Sequence, residues 1–144
     1  MIFLGTYNHT VDTKNRLTLP SKFIEKLSNE IFISKGFDGC LEIRTEKEYK
    51  EYVDQLLTHP NTGSNARQVQ RVFLGNSYKV EIDSTKRVLI PANLKEKANI
   101  DKDVFIIGVG SRIEIWDKDT YAKYANEAES KYESAAEALS NENK

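Results

Sequence analysis

The chain has 144 residues, of which 39% are hydrophobic and 30% are charged, and its formal net charge is −1 at pH 7. This length fits one domain with a single core, and the balance of apolar and charged residues excludes extended disorder. No apolar stretch approaches the ~18 residues of a membrane helix, and the single cysteine, Cys40, excludes an intramolecular disulfide, so we expect a soluble protein of the reducing cytosol.

Charge is unevenly distributed along the chain. Residues 117–144 contain seven acidic and four basic residues, whereas residues 1–116 contain 17 basic and 15 acidic ones. A body with a small positive charge is compatible with nucleic-acid binding but does not require it.

The most informative feature is an internal repeat. The landmarks recur in the same order: Phe3-Leu4-Gly5 as Phe73-Leu74-Gly75, Asp12-Thr-Lys-Asn-Arg16 as Asp83-Ser-Thr-Lys-Arg87, Pro20 as Pro91, and Leu41-Glu42-Ile43 as Ile113-Glu114-Ile115. A single Asp-x-x-x-Arg match is weak evidence. Two matches within one ordered series predict two copies of the same structural unit.

Alternating apolar residues predict a strand on each side of both Asp-x-x-x-Arg motifs. These strands cover residues 7–11 and 17–19 in the first unit, and residues 78–82 and 88–90 in the second. The pattern therefore places each motif in the turn of a β-hairpin, where Asn15 tolerates left-handed backbone angles.

Each unit is predicted to continue with a short helix and a second pair of strands. Pro20 and Pro91 cannot donate to a strand ladder and suit the first turn of a helix. The strand pairs that follow are predicted at 31–35 with 40–44, and at 104–109 with 112–116 around the two-residue turn Gly110-Ser111.

A helix is predicted after each unit. Thr45-Glu-Lys-Glu48 matches a capping box, and a stripe at helical spacing continues to Leu56. Residues 59–65 predict a connector, with a further helical turn or two before Phe73. After Trp116, regularly spaced tyrosine, alanine and leucine predict a C-terminal helix that frays near Ser140.

Two strand-turn-strand-helix-strand-strand units with Asp-x-x-x-Arg in the first turn resemble the MraZ family, whose units are of the SpoVT-AbrB swapped-hairpin type. The resemblance covers nearly all of residues 1–121. Beyond the repeated landmarks, it rests on His9-Thr10-Val11-Asp12, Ile90-Pro91, Ile107-Gly-Val-Gly and Arg112-Ile-Glu-Ile-Trp116.

The resemblance implies a mainly β fold with helices (α+β), in which two pseudo-symmetric units interleave in one β-barrel. We expect the first unit with its trailing helix at 1–58, a connector with a short helix at 59–72, the second unit at 73–118, and a C-terminal helix with an acidic tail at 119–144.

The functional implication of the resemblance is a DNA-binding transcriptional regulator and not an enzyme. Its expected partners are double-stranded DNA, at repeated short boxes in the promoter of its own cell-division and cell-wall operon, and further copies of itself in a closed ring. As a repressor of that operon it would be cytoplasmic and nucleoid-associated. No cofactor, metal, membrane or small-molecule substrate is expected.

The two turns are the expected DNA-binding sites. Their candidate contact residues are Thr13, Lys14, Asn15, Arg16, Ser84, Thr85, Lys86 and Arg87. Arginine can pair bidentately with guanine, whereas lysine, threonine and serine commonly hold phosphates. We expect Asp12 and Asp83 to structure the turns, by a local ion pair with Arg16 and Arg87 or by accepting turn amides, because phosphate repels a carboxylate. In the alternative interpretation of the arginines, they only form these ion pairs and do not contact DNA.

Two turn residues depart from the family pattern, which usually has glycine before the arginine. Asn15 is a mild change, since asparagine often replaces glycine at positive φ. Lys86 fits less well, so we expect either a different backbone shape or a different base preference in the second turn and carry the DNA role to this residue only weakly.

Other chemistry-bearing residues favour structural roles. We interpret His9 as a strand residue, Cys40 as a packed thiol, and the tyrosines at 49, 52, 121, 124 and 132 as packing groups. An enzyme would need a nucleophile with a base, a phosphate loop or a metal motif, and no such motif is recognisable. A scaffold or antitoxin that binds a partner through the acidic C-terminal segment stays open as the alternative.

Overall fold

The computed structural model describes residues 2–142, in which one order of elements occurs twice. The elements are β1 (Phe3–Thr10), β2 (Arg16–Thr18), α1 (Ser21–Ile24), β3 (Glu30–Lys35), β4 (Leu41–Thr45), α2 (Glu46–Leu57), α3 (Ser64–Gly75), β5 (Ser77–Glu81), β6 (Arg87–Leu89), α4 (Ala92–Lys97), β7 (Asp103–Gly110), β8 (Arg112–Asp117), α5 (Lys118–Ser130) and α6 (Tyr132–Glu142). The series strand, strand, helix, strand, strand, helix runs from β1 to α2 and again from β5 to α5. The two-unit, mixed α+β fold is therefore confirmed.

Six of the strands form one antiparallel sheet in the order β1-β7-β8-β4-β3-β5. The counterparts in the two units are β1 and β5, β3 and β7, and β4 and β8. Replacing each strand by its counterpart gives the same order read backwards, so a pseudo-twofold axis passes between β4 and β8. The first strand of each unit pairs with the third strand of the other: β1 with β7, and β5 with β3. The two units are thus interleaved.

The remaining strands, β2 and β6, form a separate two-stranded ribbon. At its centre Leu17 pairs with Val88, and both side chains are fully buried. They pack in one hydrophobic core with isoleucines of the large sheet, such as Ile43 and Ile113. The barrel is therefore an open six-stranded sheet covered on one face by the ribbon, and hydrogen bonds do not close the sheet.

The strands that flank each motif do not form the simple hairpin that the sequence predicted. In the first unit an isolated bridge joins Val11, which follows β1, to Leu17 of β2, while β2 pairs along its length with β6. Alternation of apolar residues defines which face of a strand is buried but not which strand lies beside it. Pairing between units satisfies the same pattern and buries the ribbon over a shared core.

Helices α2, α3 and α5 lie on the face of the sheet opposite the ribbon, whereas α1 and α4 pack with the ribbon around the core. The capping role of Thr45 is confirmed, since its Oγ1 accepts a hydrogen bond from the Glu48 N–H at 3.2 Å at the start of α2. The C-terminal helical segment is interrupted at Lys131, so it comprises α5 and α6 and extends to Glu142 rather than fraying near Ser140. In the described part of the chain, no helix has the length and apolar character needed to cross a bilayer.

Candidate nucleic-acid interface

The first turn is organised around the side chain of Asp12. Its Oδ1 accepts hydrogen bonds from the backbone N–H of Lys14 at 2.9 Å and of Arg16 at 2.8 Å. The Asp12 N–H in turn donates to the Arg16 carbonyl at 2.9 Å. These bonds fix the backbone of the turn, while the side chains of Thr13 and Lys14 are exposed.

The second turn repeats this geometry. Oδ1 of Asp83 accepts from the N–H groups of Thr85 and Arg87, each at 2.9 Å, and from the Thr85 hydroxyl at 2.8 Å. The Asp83 N–H donates to the Arg87 carbonyl at 2.9 Å. Ser84, Thr85 and Lys86 have exposed side chains. Each aspartate therefore accepts turn amides.

Both turns contain one residue in the left-handed region, Asn15 with φ 62° and Lys86 with φ 65°. The expectation of a different backbone shape around Lys86 is wrong, because the aspartate bonds and the interleaved strands impose the same conformation on both turns. A left-handed lysine is conformationally costly, since its Cβ crowds the following carbonyl. That cost is offset by the hydrogen bonds around it.

The carbonyl of each left-handed residue is bonded to the other unit. Asn15 O accepts from the Ile90 N–H at 2.8 Å, and Lys86 O accepts from the Leu19 N–H at 3.0 Å. Because the turns are locked to each other through the ribbon, their relative position is part of the fold.

The two turns lie at diagonally opposite ends of the ribbon, and the ribbon carries the motif arginines outward. Arg16 pairs with Leu89, and Thr18 pairs with Arg87. Since Leu17 and Val88 point into the core, strand alternation places these four residues on the opposite side. We call the side chains of Arg16, Thr18, Arg87 and Leu89 the outer face of the ribbon.

The turns hold the aspartates in their charged form. The backbone N–H of Arg87, followed by the Thr85 hydrogen bonds, lowers the pKa of Asp83 to about 2. The backbone N–H of Arg16 is the main cause that lowers the pKa of Asp12. With both carboxylates ionised, residues 12–16 and 83–87 combine four cationic side chains with two anionic ones.

The arginines differ in their contacts. Arg87 Nε lies 3.1 Å from Asp83 Oδ2, and Arg87 Nη1 lies 4.0 Å from Asp12 Oδ2, so this guanidinium lies between both turn carboxylates. The interpretation of a local ion pair therefore holds for Asp83 with Arg87. Among residues 2–142, Arg16 has no corresponding side-chain pair with Asp12.

One lysine outside the motifs contributes to this surface. Nζ of Lys95, on α4, donates to Oδ1 of Asn15 at 3.0 Å. In the first unit the equivalent position on α1 is Ile24, so the second turn lacks such a contact at Lys86. Lys95 and Asn15 are 80 residues apart in the chain, so the spacing of residues in the sequence could not predict this contact.

The outer face also contains Thr18 and Leu89, which the sequence reasoning missed. Both side chains are exposed, and they occupy equivalent positions in the two units. Both residues could have been predicted from the sequence, because each lies two positions after a motif arginine, and side chains two positions apart in a strand lie on the same face.

A second polar cluster lies across the central strands β4 and β8, on the helix-covered face. Glu42 is paired with the buried Arg44 at 2.7 Å and with Arg112 at 3.3 Å, while Glu114 contacts Arg112 at 3.1 Å and accepts from Trp116 Nε1 at 2.9 Å. This is an ion-pair network that joins the two units.

Cys40 lies beside this network, close to Glu42 and Glu114. Burial, followed by the nearby carboxylates, raises the pKa of the Cys40 thiol well above its usual range, and the thiol donates to the Phe37 carbonyl at 3.2 Å. A protonated thiol beside arginine-paired carboxylates is a packing group rather than a nucleophile.

His9 and most of the tyrosines lie in structural positions. His9 is in β1 opposite Val104, and partial burial lowers its pKa. Tyr49 stacks on Phe32 with ring centres 4.2 Å apart, and Tyr124 stacks on Trp116 at 5.0 Å. Tyr132, in contrast, is 74% exposed on α6.

Known proteins resemble this chain over its whole described length. A family model with the description "MraZ protein, putative antitoxin-like" matches residues 2–72 and again residues 73–142. The protein named transcriptional regulator MraZ of Mesoplasma florum is 43% identical over 140 residues, which cover 96% of each chain. Its namesake in Mycoplasmoides gallisepticum is 41% identical over 138 residues, covering 96% of this chain and 97% of that one. The namesake of Thermoanaerobacter sp. (strain X514) is 42% identical over 138 residues and 96% of each chain. With the repeat, the interleaved sheet and both Asp-x-x-x-Arg turns in place, the chain belongs to the MraZ family.

Proposed function

We propose that this chain is a sequence-specific DNA-binding transcriptional regulator that acts without catalysis. The observation that carries the proposal is the outer face of the ribbon, which holds Arg16 and Arg87 at fixed positions between two rigid turns. The names of the relatives, each a transcriptional regulator, support the same conclusion.

The contact geometry follows from the size of the DNA grooves. The major groove of B-DNA admits a two-stranded β-ribbon, and arginine pairs with the O6 and N7 of guanine there. We assign base contacts to Arg16 and Arg87. Phosphate contacts are assigned to the half-buried Asn15 and to the exposed turn residues, which are Thr13, Lys14, Ser84, Thr85 and Lys86.

The carboxylates fit this assignment as positioning groups. Asp12 and Asp83 hold the turn amides and leave their charge facing Arg87. A guanidinium that is already oriented loses less conformational entropy when it pairs with a base. We therefore treat Asp12 and Asp83 as turn-structuring residues that support DNA contact indirectly.

The proposed target is a series of short repeated boxes in the promoter of the chain's own cell-division and cell-wall operon, with repression as the outcome. The family resemblance supports this target. It places the protein in the cytoplasm, associated with the nucleoid, and it requires no cofactor, metal or small-molecule substrate.

We further propose that the protein assembles into a closed ring of identical subunits. Two separate apolar areas remain exposed. One lies around Phe37 and Val72, where α3 and the turn between β3 and β4 border a groove of about 340 Å³; the other includes Tyr132 and Leu139 on α6. Contact between two different surfaces of neighbouring copies is the head-to-tail type that generates rings.

A protein-binding scaffold or antitoxin-type module is the second candidate. The observation that favours it is the exposed, acidic pair of helices α5 and α6, together with the antitoxin-like description of the family. This alternative predicts a partner protein that binds the C-terminal helices and no specific protection of DNA.

A footprint of the purified protein on the DNA upstream of its own gene tests the proposal. The regulator predicts protected short repeats at a physiological salt concentration, with protection that weakens as salt rises. Uniform or absent protection, together with tight binding of a protein partner, would favour the scaffold instead.

A further inference from the structure

The pseudo-symmetry of the ribbon is broken on its outer face. Arg16 and Arg87 are equivalent, but the residues two positions after them are Thr18 and Leu89. Leu89 is 55% exposed although it lies between polar side chains. The outer face therefore presents one isolated apolar group.

Leu89 is the direct cross-strand neighbour of Arg16. Because the Ile90 N–H bonds to the Asn15 carbonyl, the adjacent pair of Arg16 with Leu89 is of the non-hydrogen-bonded type, with Cα atoms about 4.5 Å apart. Successive bases along one DNA strand are about 3.4 Å apart. If the cross-strand direction follows the groove, Leu89 therefore lies over the base pair next to the guanine that Arg16 reaches.

The edges of the base pairs offer one apolar group in the major groove, the C5 methyl of thymine. An isobutyl side chain cannot bind phosphate or pair with the polar edges of the bases. On a surface whose other groups suit DNA, the thymine methyl is its chemical complement.

We propose that Leu89 is a second base-reading residue, which contacts the methyl group of a thymine next to the guanine that Arg16 reads. This inference rests on the proposed function and adds a second base contact to it. Arg87 has Thr18 as its neighbour, and the threonine hydroxyl accommodates several bases. The two halves of the recognised box therefore differ, and the box is not a palindrome.

The test uses the full-length protein and a duplex selected by it from a random library. Each thymine is replaced singly by deoxyuridine, which lacks only the methyl group, and affinity is measured by fluorescence anisotropy. The wild type should lose about fourfold in affinity at one thymine beside a guanine, as expected for one buried methyl group. Leu89→Ala should bind both duplexes equally and match the wild type on the deoxyuridine duplex.

Leu57→Ala is the matched control, since Leu57 is 54% exposed but lies on α2, on the opposite face of the sheet. It should retain the wild-type sensitivity to the methyl group. The proposal is overturned if no thymine matters to the wild type, if Leu89→Ala keeps the sensitivity, or if Leu89→Ala changes the oligomeric state, which would make Leu89 a subunit contact. Failure to enrich any duplex would instead remove the proposed function, and this inference with it.

Discussion

Arg87 is shared between the two turns, because its Nη1 lies 4.0 Å from the Asp12 carboxylate while its Nε lies 3.1 Å from that of Asp83. The contact with Asp12 crosses from one unit to the other. Arg16 occupies the equivalent ribbon position with a different environment, opposite Leu89. The interleaved fold thus gives two equivalent arginines unequal surroundings.

The first prediction concerns the pH dependence of stability. Because turn hydrogen bonds lower the pKa of Asp83 to about 2, its contribution to the free energy of unfolding is present above the unfolded-state pKa, near 3.9. It should be lost as the pH falls from about 4 towards 2. Denaturation of the wild type and Asp83→Asn across this range, with an NMR titration of the carboxyl group, measures the effect. An Asp83 that titrates near 3.9 in the folded protein would contradict the account.

The second prediction concerns the left-handed lysine. Lys86→Gly should raise the free energy of unfolding by up to about 1 kcal/mol, since glycine adopts φ 65° without a Cβ clash. It should also reduce the slope of log affinity against log salt by about 0.9, because one phosphate contact is lost.

Asn15→Gly is the control for that prediction. Asparagine already tolerates the left-handed region, and the change removes the hydrogen bond from Lys95. Its gain in stability should be smaller than that of Lys86→Gly. A larger gain at position 15, measured by chemical denaturation, would show that strain does not reside at Lys86.

The third prediction concerns the ion-pair network between the units. Glu42 and Arg44 are both nearly fully buried, so Glu42→Ala leaves a buried guanidinium without its closest carboxylate. We expect a loss of roughly 3 to 5 kcal/mol in the free energy of unfolding. Glu46→Ala removes one partner of the exposed pair with Lys50 and should change little. Equal effects of the two substitutions would contradict this role of the network.

Much of the fold was predictable because the repeat and the alternation of apolar residues are local signals. They located the strands, the proline-initiated helices, the capping role of Thr45 and the Gly110-Ser111 turn. Strand partners were not predictable from alternation, which is why a simple hairpin at each motif was expected. The interleaving followed from the family resemblance.

The candidate site was predictable to the extent that it lies within the motifs. The left-handed angle of Lys86 was missed because residue type suggested strain, whereas tertiary hydrogen bonds impose the conformation. The contact of Lys95 with Asn15 and the neighbourhood of Cys40 depend on chain segments far apart in sequence. No local pattern encodes such contacts.

The fourth prediction concerns multivalency. A subunit with a net charge of −1 and few base contacts should bind one box weakly, whereas the proposed ring would engage adjacent boxes at once. Linked sites raise avidity by about 10²- to 10⁴-fold where geometry permits. Anisotropy on duplexes with one, two and three boxes should show a steep rise, and inserting half a helical turn between boxes should weaken binding. Indifference to box number or phasing would contradict the proposed multivalent binding.

The central claim is that Arg16 and Arg87, displayed on the outer face of the ribbon, read DNA bases. The measurement that tests it most directly is the affinity of Arg16→Ala/Arg87→Ala for a selected duplex and for a scrambled one. Lys118→Ala/Lys123→Ala, which removes two positive charges from α5, is the matched control.

Each lost guanine contact should cost roughly 1 to 3 kcal/mol, so the arginine variant should bind the selected duplex weakly and lose most of its preference over the scrambled one. Its circular dichroism and oligomeric state should be those of the wild type, and the lysine control should keep its preference for the selected duplex. An arginine variant that is folded and still prefers the selected duplex as strongly as the wild type does would contradict the account.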